Sequence, residues 1–307
     1  MSPRARLIAN PVSGTDTVPS HLQRINEALR GPFGAMEIVL TVGDGDAERA
    51  ARQAVEDGCE VLFVAGGDGT LNETINGAAS AGRGLSGVTF GIIPLGTGND
   101  VARVLGIPLE LDGALGAMAA GRTLSIDLGS VNDRLFANTS SGGFIAEVSD
   151  AATPQLKSIA GRLAWVIGGA QALMEFDPVP VTVHAEPGRV RFDKGMYAYA
   201  VCNSPLMGGG RLIAPRAAVD DGLLDLCFIE SMSSLDFVGL LRRVSEGSHV
   251  EDPRVHYVQA SSLVLDFGRE MKINTDGEVL VASRCRYGVL PGAARFFAGP
   301  STFADKA

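Results

Sequence analysis

About the first 125 residues alternate between short apolar runs and segments whose apolar residues recur at helical spacing. The run Val61–Ala65 is apolar throughout, which is typical of a parallel strand buried on both faces. The alternation predicts a parallel sheet covered by helices, a three-layer doubly wound α/β domain. The predicted strands are 6–10, 36–40, 61–65 and 88–94, and the predicted helices are 20–30, 46–57 and two that begin near Leu71 and Asp100.

The pattern changes near Asp127, after which short β-rich segments dominate. Two helical stretches, 157–176 and 234–246, interrupt them. This arrangement predicts a second domain, a mostly antiparallel β-sandwich, so the expected domains are 1–127 and 128–290. The predicted strands of the second domain are 134–138, 179–185, 197–203, 223–229, 262–267 and 278–282.

Composition supports a folded protein and argues against several functional classes. The 307 residues are 46% apolar and 20% charged, as in an ordinary globular chain. The net charge of −9 argues against a nucleic-acid binder and a polybasic membrane anchor. The apolar stretch 158–176 is interrupted by Arg162, Gln171 and Glu175, so it predicts an amphipathic helix and not a membrane span. Because no signal-peptide pattern is found either, we expect a cytoplasmic protein.

The cysteine and histidine patterns argue against disulfides and a zinc site, and the glycine content indicates where backbone turns matter. The 4 cysteines are far apart and form no CxxC pair, which indicates reduced thiols, and the 4 histidines lack the spacing of a zinc site. Glycine is in excess, since 39 residues make up about 13% of the chain against an average near 7%. No Gly-x-y period accompanies the excess, so it indicates turns or close backbone contacts.

The most informative glycine turn follows the predicted strand 61–65. Thr70 and Glu73 form a Thr-x-x-Glu pattern, which predicts a capping box and a helix N-terminus directly after the turn. Backbone N–H groups at such a place favour phosphate, and a plain strand-to-helix turn without a ligand is the alternative. The turn reads Gly66-Gly67-Asp68-Gly69-Thr70.

Two further loops have the same setting. The turn 95–100 follows the next strand, with Thr97 and Asp100 in a similar box pattern, and 10–14 follows the first strand. Parallel strands end at one edge of their sheet, so the three loops should converge on a phosphate. None has the lysine of a Walker A loop or the G-x-G-x-x-G spacing. The carboxylates of Asp68 and Asp100 would repel phosphate unless a divalent cation bridges them, which indicates a nucleotide with Mg²⁺.

In combination, these motifs resemble those of the bacterial diacylglycerol kinases and related lipid kinases, whose catalytic domain sphingosine and ceramide kinases share. The resemblance covers nearly the whole chain, although the Gly-Gly-Asp-Gly turn alone also occurs in NAD kinases and phosphofructokinases. The matching segments are 10–14, 66–73, 94–100, 208–210 with Ala214 and Pro215, 220–225 and 275–278.

The resemblance implies that ATP binds in a cleft between the two domains and that 291–307 returns to the first domain. The stretch after Gly14 departs from the expected pattern, since Thr-Asp-Thr-Val contains no basic residue that could assist phosphate binding. The nucleotide contacts that the resemblance implies are Asn10, Pro11, Ser13, Gly14, Thr41, Gly66, Gly67, Asp68, Gly69, Thr70, Leu71, Asn72 and Thr97.

The resemblance also implies Glu278 as the general base and two magnesium sites. From the residues alone, a plain hairpin is the better interpretation of 273–278, because Asp-Gly is a favoured turn, and 220–222 is an ordinary turn signal. Only the resemblance favours a catalytic role for Glu278. The implied ligands are Asp68, Asp100 and Asp127 for the catalytic Mg²⁺, and the Asp221 side chain with the carbonyls of Ala218 and Leu223 for a structural Mg²⁺.

The leading hypothesis is an ATP- and Mg²⁺-dependent lipid kinase that phosphorylates the hydroxyl of diacylglycerol and gives phosphatidic acid. Sphingosine, ceramide and phosphatidylglycerol are alternative acceptors. A soluble-substrate kinase of the NAD kinase type is a second hypothesis, against which the motif at 94–100 argues. A nucleotide-sensing or lipid-carrying protein is a third, which the intact acidic residues weaken.

Three further expectations concern partners and flexible segments. We expect transient, peripheral contact with the inner membrane surface, no nucleic-acid partner, and a homodimer as an option if a β-rich edge pairs. The glycine triplet 208–210 fits either a flexible lid or a close backbone contact. Arg242 and Arg243, with Arg211 and Arg216, fit either lipid headgroup contacts or a solvated surface.

Overall fold

The computed structural model describes residues 3–14, 18–146, 177–187, 190–303 and 305. The predicted helix 157–176 lies outside these residues. The elements of the first half are β1 (Ala5–Ala9), α1 (Val18–Phe33), β2 (Glu37–Leu40), α2 (Asp46–Glu56), β3 (Val61–Gly66), α3 (Asp68–Ser80), β4 (Thr89–Pro94), α4 (Asp100–Val104) and α5 (Leu111–Ala120).

The second half of the described chain is mostly β-structure. Within the described ranges, no helix is both long and apolar enough to cross a membrane. The elements are β5 (Thr123–Val131), β6 (Arg134–Phe136), β7 (Thr139–Gly143), β8 (Val179–Glu186), β9 (Val190–Cys202), β10 (Leu206–Met207), β11 (Arg211–Leu212), β12 (Leu224–Glu230), α6 (Ser234–Val244), a 3₁₀ turn (Ser248–Glu251), β13 (Val255–Ala260), β14 (Ser262–Thr275) and β15 (Glu278–Phe297).

The first domain is built on a parallel sheet with the order β2-β1-β3-β4. Strands β1 and β3 are buried along their full length, as their continuous apolar sequences predict. Right-handed crossovers put α1 on one face of this sheet and α2 and α3 on the other, and α5 packs beside α1. The rings of Phe33, Phe63 and Phe297 meet within the core of this domain.

The second domain is an antiparallel arrangement in which two long strands fold the sheet over on itself. Strands β9 and β14 both pair with β7 at one end and with β8 at the other. Strands β12 and β13 extend the sheet beyond β9. The apolar side chains of these strands form a separate core, in which Tyr199, Phe228 and Phe267 are fully buried.

Strands β5 and β15 run through both domains. Strand β15 pairs with β14 in the second domain, and its residues Arg295 and Phe296 then pair in parallel with β4 in the first. Strand β5 lies antiparallel to β15 on both sides of an irregularity between Leu290 and Ala294. The last residues of β15 therefore lie within the first sheet, and the two domains share two strands.

The predicted fold class, an α/β domain followed by an antiparallel β-rich domain, is confirmed. Two helix predictions differ from the structure. Helix α3 begins at Asp68 and not near Leu71, and the helix predicted from Asp100 is two helices, α4 and α5. Gly106, which has a positive φ, lies between them and ends the first.

The packing of α2 against α3 predicts a cost for any side chain at Gly77. A Cβ at Gly77 would overlap the backbone carbonyl oxygen of Glu48, which cannot rotate away. We therefore expect Gly77→Ala to lower the free energy of unfolding by about 1–3 kcal/mol, measured by chemical denaturation. Gly116 in α5 is the matched control, because it is exposed and no atom lies within 4 Å of its Cβ position. Gly116→Ala should raise stability by about 0.5–1 kcal/mol, and equal effects at the two positions would contradict this packing.

Candidate active site

Three loops lie side by side at the carboxyl edge of the parallel sheet. The N–H groups of Leu95 and Gly96 both donate to the carbonyl of Gly66, at 3.1 and 3.2 Å. A Cβ at Gly96 would overlap the Cα of Gly67, and a Cβ at Gly14 would overlap the carbonyl of Leu95. Glycine is required at these positions because the three backbones touch. The loops therefore form one continuous backbone surface.

The first glycine turn starts α3 without the predicted capping box. The helix begins at Asp68, its N-cap residue Gly67 has no side chain, and Thr70 lies inside the first turn of the helix. The carboxylate of Glu73 instead accepts the N–H of Ala47 at 3.2 Å and so caps the neighbouring helix α2. Thr70 Oγ1 accepts a hydrogen bond from Asn10 Nδ2 at 3.3 Å. This bond joins the loop 10–14 to the first glycine turn.

The helix that follows the second glycine turn, 95–100, is α4, and a residue from another loop caps it. Its predicted box between Thr97 and Asp100 is not formed, because Asn99 has a positive φ and its side chain bonds back to Gly96. The N–H groups of Asp100 and Val101 point to the carboxylate of Asp68, at 3.3 and 3.4 Å. The N-terminus of α4, which the sequence predicts as a phosphate site, is thus occupied by a side chain of the protein.

The glycine triplet of the second domain closes on Asp100. The carboxylate of Asp100 accepts the N–H of Gly209 at 3.0 and 3.1 Å and the N–H of Gly210 at 2.6 Å. Gly208, Gly209 and Gly210 all have positive φ, which aims consecutive N–H groups at one point. Of the two alternatives for this triplet, the contact geometry favours the close backbone contact.

Asp68, which is half-buried, and Asp100, which is buried, form an adjacent acidic pair. Burial raises the pKa of the Asp68 carboxyl, and the neighbouring Asp100 raises it further. Asp100 is 3% exposed, and neither carboxylate has a lysine or arginine within 4 Å among the described residues. Two oxygen ligands with uncompensated charge fit a hard divalent cation. The described residues contain no group of three or more acidic, histidine or cysteine side chains arranged around a single metal position.

The third predicted acidic residue, Asp127, has different partners. It is 2% exposed, and its two oxygens accept the N–H groups of Gly222 and Gly292, each at 2.7 Å. Asp221 is an acidic neighbour of Asp127, and the pKa of Asp221 is raised by its partial burial and by the charge of Asp127. The structure thus brings Asp68 together with Asp100, and Asp127 together with Asp221.

The predicted structural metal position lies on the loop before β12. The carboxylate of Asp221 is exposed and accepts the N–H of Leu223 at 2.9 Å. Ala218 and Leu223 are half-buried on the same loop, and the carbonyl of Val219 between them accepts the N–H of Asp127 at 2.7 Å. The loop is therefore anchored to β5 beside the acidic group.

Glu278 is the first residue of β15 and pairs across the hairpin with Thr275. Its turn, Asp276–Gly277, has positive φ at both residues and packs against the first glycine turn, since a Cβ at Gly277 would lie 3.6 Å from the Cα of Gly69. The Glu278 carboxylate accepts a hydrogen bond from Arg134 Nη2 at 2.6 Å. A carboxylate of the second domain is thus held beside the loops of the first.

The remaining predicted nucleotide contacts range from buried to exposed side chains. Asn72 and Thr41 are buried, Leu71 belongs to the core of the first domain, and Thr97 is exposed. The Nδ2 atom of Asn72 is buried and has no partner among the described residues. The loop formed by Asn10, Pro11, Ser13 and Gly14 is partly exposed, with Ser13 N–H donating to the Asn10 carbonyl at 3.2 Å.

Comparison with known proteins agrees with this geometry along most of the chain. Residues 4–131 match the family described as the diacylglycerol kinase catalytic domain, and residues 138–298 match the YegS C-terminal NAD kinase beta sandwich-like domain. The diacylglycerol kinase of Staphylococcus saprophyticus is 33% identical over 278 residues, covering 91% of this chain and 90% of that protein. The chain belongs to the diacylglycerol kinase family.

Other members of the diacylglycerol kinase family support the assignment. The Bacillus subtilis (strain 168) diacylglycerol kinase is 31% identical over 290 residues, covering 94% of this chain and 92% of its own. Two solved structures from Bacillus anthracis str. Sterne, a candidate diacylglycerol kinase and a diacylglycerol kinase, share the fold with TM-scores of 0.82 and 0.75, at 24% and 22% identity. They cover 97% of this chain each, and 98% and 97% of their own.

Membership in the diacylglycerol kinase family makes the chain a kinase, and it implies ATP as the phosphate donor. Two residues that line this site were missed from the sequence, Asp276 and Arg134. Asp276 lies in the segment 275–278 that carries the resemblance, but its Asp-Gly pair by itself predicts only a turn. Arg134 carries no signal in the sequence, because its partners lie on distant elements.

Asp276 is buried and unusually well supplied with hydrogen-bond donors. Its carboxylate accepts the N–H groups of Ala137, Asn138 and Thr139 at 2.7 to 3.0 Å. Burial nevertheless raises the pKa of Asp276 to about 7, and the nearby Asp68 contributes to the rise. This carboxyl therefore titrates close to neutral pH while it fixes the turn that precedes Glu278.

The raised pKa of Asp276 predicts a pH dependence of stability. The folded protein keeps a proton that the unfolded chain releases above its ordinary pKa, near pH 4, so stability should fall as pH rises from about 4 to 7 and then level off. The slope from this one group is at most about 1.4 kcal/mol per pH unit. Denaturation across this range should show a flatter profile in Asp276→Asn than in the unchanged protein.

Asp225 provides the control for that measurement, since burial raises its pKa to about 6. Asp225→Asn should flatten only the part of the profile below about pH 6. If Asp276→Asn had the same slope as the unchanged protein between pH 6 and 7, the carboxyl of Asp276 would not titrate there.

Proposed function

We propose that the chain transfers the γ-phosphate of ATP to the hydroxyl of diacylglycerol and gives phosphatidic acid, a reaction of phospholipid biosynthesis. The observation that carries the proposal is the contact between the Glu278 hairpin and the first glycine turn, where Gly277 meets Gly69. Phosphoryl transfer needs a phosphate held by backbone donors and a base for the acceptor hydroxyl, and this contact brings a candidate for each to one place.

The triphosphate would lie along the three touching loops. Their backbone N–H groups suit phosphate oxygens, as does the Nδ2 of Asn72, which has no hydrogen-bond partner among the described residues. Because Asp68 already occupies the N-terminus of α4, the donors left for phosphate are those of the first glycine turn and its neighbours. The proposed contacts are Asn10, Pro11, Ser13, Gly14, Thr41, Gly66, Gly67, Asp68, Gly69, Thr70, Leu71, Asn72 and Thr97.

Magnesium fits the donor set beside these loops. Asp68 and Asp100 supply adjacent carboxylate oxygens that have no basic partner among the described residues. Asp127 on β5 is the third proposed ligand, and its oxygens would have to exchange the N–H groups of Gly222 and Gly292 for the cation. When bound, Mg²⁺ would neutralise charge on the triphosphate. A second, structural Mg²⁺ would be held by the Asp221 side chain and the carbonyls of Ala218 and Leu223, beside the charge of Asp127.

Glu278 would act as the general base. Its carboxylate would take the proton of the acceptor hydroxyl as the hydroxyl oxygen forms a bond to the γ-phosphorus. The bond between the γ-phosphorus and the β,γ-bridging oxygen breaks, and ADP leaves with that oxygen. The proton on Glu278 then passes to solvent, since the side chain is 36% exposed.

Diacylglycerol is the proposed acceptor because the curated relatives carry that name. Sphingosine, ceramide and phosphatidylglycerol are the other lipid alcohols to be compared. An acceptor of this kind resides in a bilayer, so the proposal includes transient, peripheral contact of a cytoplasmic enzyme with the inner membrane surface. The NAD kinase-like description of the second domain makes NAD the competing soluble acceptor.

Substitution of the base tests the proposal directly. Glu278→Gln should lower kcat by about 10²- to 10⁴-fold with little change in KM for ATP, because the amide keeps the shape but cannot take a proton. The measurement is transfer of radiolabel from γ-labelled ATP to diacylglycerol in mixed micelles with Mg²⁺. Glu270→Gln is the matched control, since Glu270 is an exposed carboxylate on the same hairpin.

The same assay distinguishes the alternatives. Product analysis by mass spectrometry after incubation with a mixed lipid extract identifies the acceptor. Formation of NADP from NAD and ATP, with no labelled lipid, would replace the lipid kinase proposal by the NAD kinase one. An unchanged kcat in Glu278→Gln would remove Glu278 from the mechanism.

A further inference from the structure

Arg134 reaches the Glu278 carboxylate from a strand that is anchored to the first domain. It begins the short strand β6, and the next residue, Leu135, forms two hydrogen bonds with the side chain of Asn76 in α3, at 2.9 and 3.0 Å. The backbone beside Arg134 is therefore fixed to the helix that starts at the first glycine turn. This fixes the starting point of the arginine side chain relative to the phosphate loops.

The guanidinium of Arg134 bridges two carboxylates from different domains. Nη2 donates to Glu278 Oε2 at 2.6 Å, and Nη1 donates to Glu48 Oε2 at 2.9 Å. Arg134 is 23% exposed, so both ion pairs are partly shielded from water. Glu48 lies in the first turn of α2, the helix that Glu73 caps from α3. Both carboxylates are thus held by elements that are themselves fixed.

The same six-residue segment, 134–139, also holds the turn that precedes Glu278. Its residues Ala137, Asn138 and Thr139 donate their N–H groups to Asp276. One end of the segment therefore fixes the backbone of the turn, and the other end fixes the Glu278 side chain. A carboxylate at the start of an edge hairpin would otherwise sample several rotamers.

We propose that Arg134 is a positioning residue for phosphoryl transfer, which holds Oε2 of Glu278 so that Oε1 takes the proton of the acceptor hydroxyl. This inference rests on the proposed role of Glu278 as the base. Among the described residues, Oε1 has no hydrogen-bond partner, whereas Oε2 is paired with Arg134. Only one oxygen is needed to accept the proton.

Glu48 keeps an anionic partner beside Arg134 when Glu278 is protonated. When Glu278 becomes neutral on taking the proton, Arg134 loses one of its two anionic partners. Glu48 remains paired with Nη1 at 2.9 Å, so the guanidinium is not left as an unpaired, partly buried charge. The guanidinium also stays in place between successive turnovers. Lysine has no second fixed donor and cannot hold both carboxylates in the same geometry.

The test is a double-mutant cycle between Arg134 and Glu278, measured by single-turnover transfer of label from ATP to diacylglycerol. Arg134→Met should lower the transfer rate by about 10- to 100-fold with KM for ATP unchanged, since the base is present but misplaced. In the Glu278→Gln background, Arg134→Met should cause no further loss. Arg134→Lys should recover part of the rate.

Arg254→Met is the control for loss of an ion-pair network, because Arg254 also bridges two carboxylates, Asp252 and Asp236, each at 3.0 Å. Its transfer rate should remain that of the unchanged protein. Melting temperatures of all variants identify any that fail to fold, and Arg134→Lys then replaces Arg134→Met in the cycle.

Three outcomes would overturn the inference. The first is an unchanged rate in Arg134→Met. The second is a further loss in the Glu278→Gln background, which would mean that Arg134 acts on the phosphate and not through Glu278. The third is a change of KM alone. Failure of the proposed function is a separate result, because it is seen as full activity in Glu278→Gln with Arg134 intact.

Discussion

The structure depends on the pairing of buried carboxylates with backbone N–H groups where the two domains meet. Asp68 takes the N–H groups at the start of α4, Asp100 those of the glycine triplet, and Asp276 those of 137–139. A buried charge without partners would cost several kcal/mol, and these backbone donors offset part of that cost. Each pairing joins residues that are distant in sequence, and together they fix the loops of both domains where the domains meet.

These pairings change what the glycine turns can bind. A helix N-terminus that accepts a side-chain carboxylate has little positive potential left for phosphate. Asp68 uses the start of α4 in this way, while Asp68 and Asp100 add negative charge beside the first glycine turn. A bare triphosphate would be repelled there, which supports the proposal that the nucleotide binds together with a divalent cation. In that proposal the glycine turns supply backbone donors and the carboxylates supply the ligands of the cation.

The first domain could be predicted from the sequence because its signals are local. Buried strands such as Val61–Gly66 are continuous apolar runs, and the glycine turn follows directly. Strand β7 could not be predicted, because Thr139–Gly143 consists of small polar residues and glycine, and burial against Tyr199 makes it a strand. The two capping boxes failed because contacts between distant residues replace them: Glu73 caps α2 and not its own helix, and Asp68 caps α4. Arg134 and Asp276 contact residues that are far away in the sequence, so no local motif predicts their roles.

Two strands that both domains share connect the site to the rest of the fold. Strands β5 and β15 are paired on both sides of the irregularity between Leu290 and Ala294, which is where bending would cost the fewest ladder hydrogen bonds. Asp127 bonds to Gly292 inside that irregularity and to Gly222 on the neighbouring loop, each at 2.7 Å. A buried carboxylate therefore bridges the point at which the pairing of the two shared strands is irregular. The contact between the Glu278 hairpin and Gly69 lies across the same domain junction, so it is supported by two shared strands and not only by loop contacts.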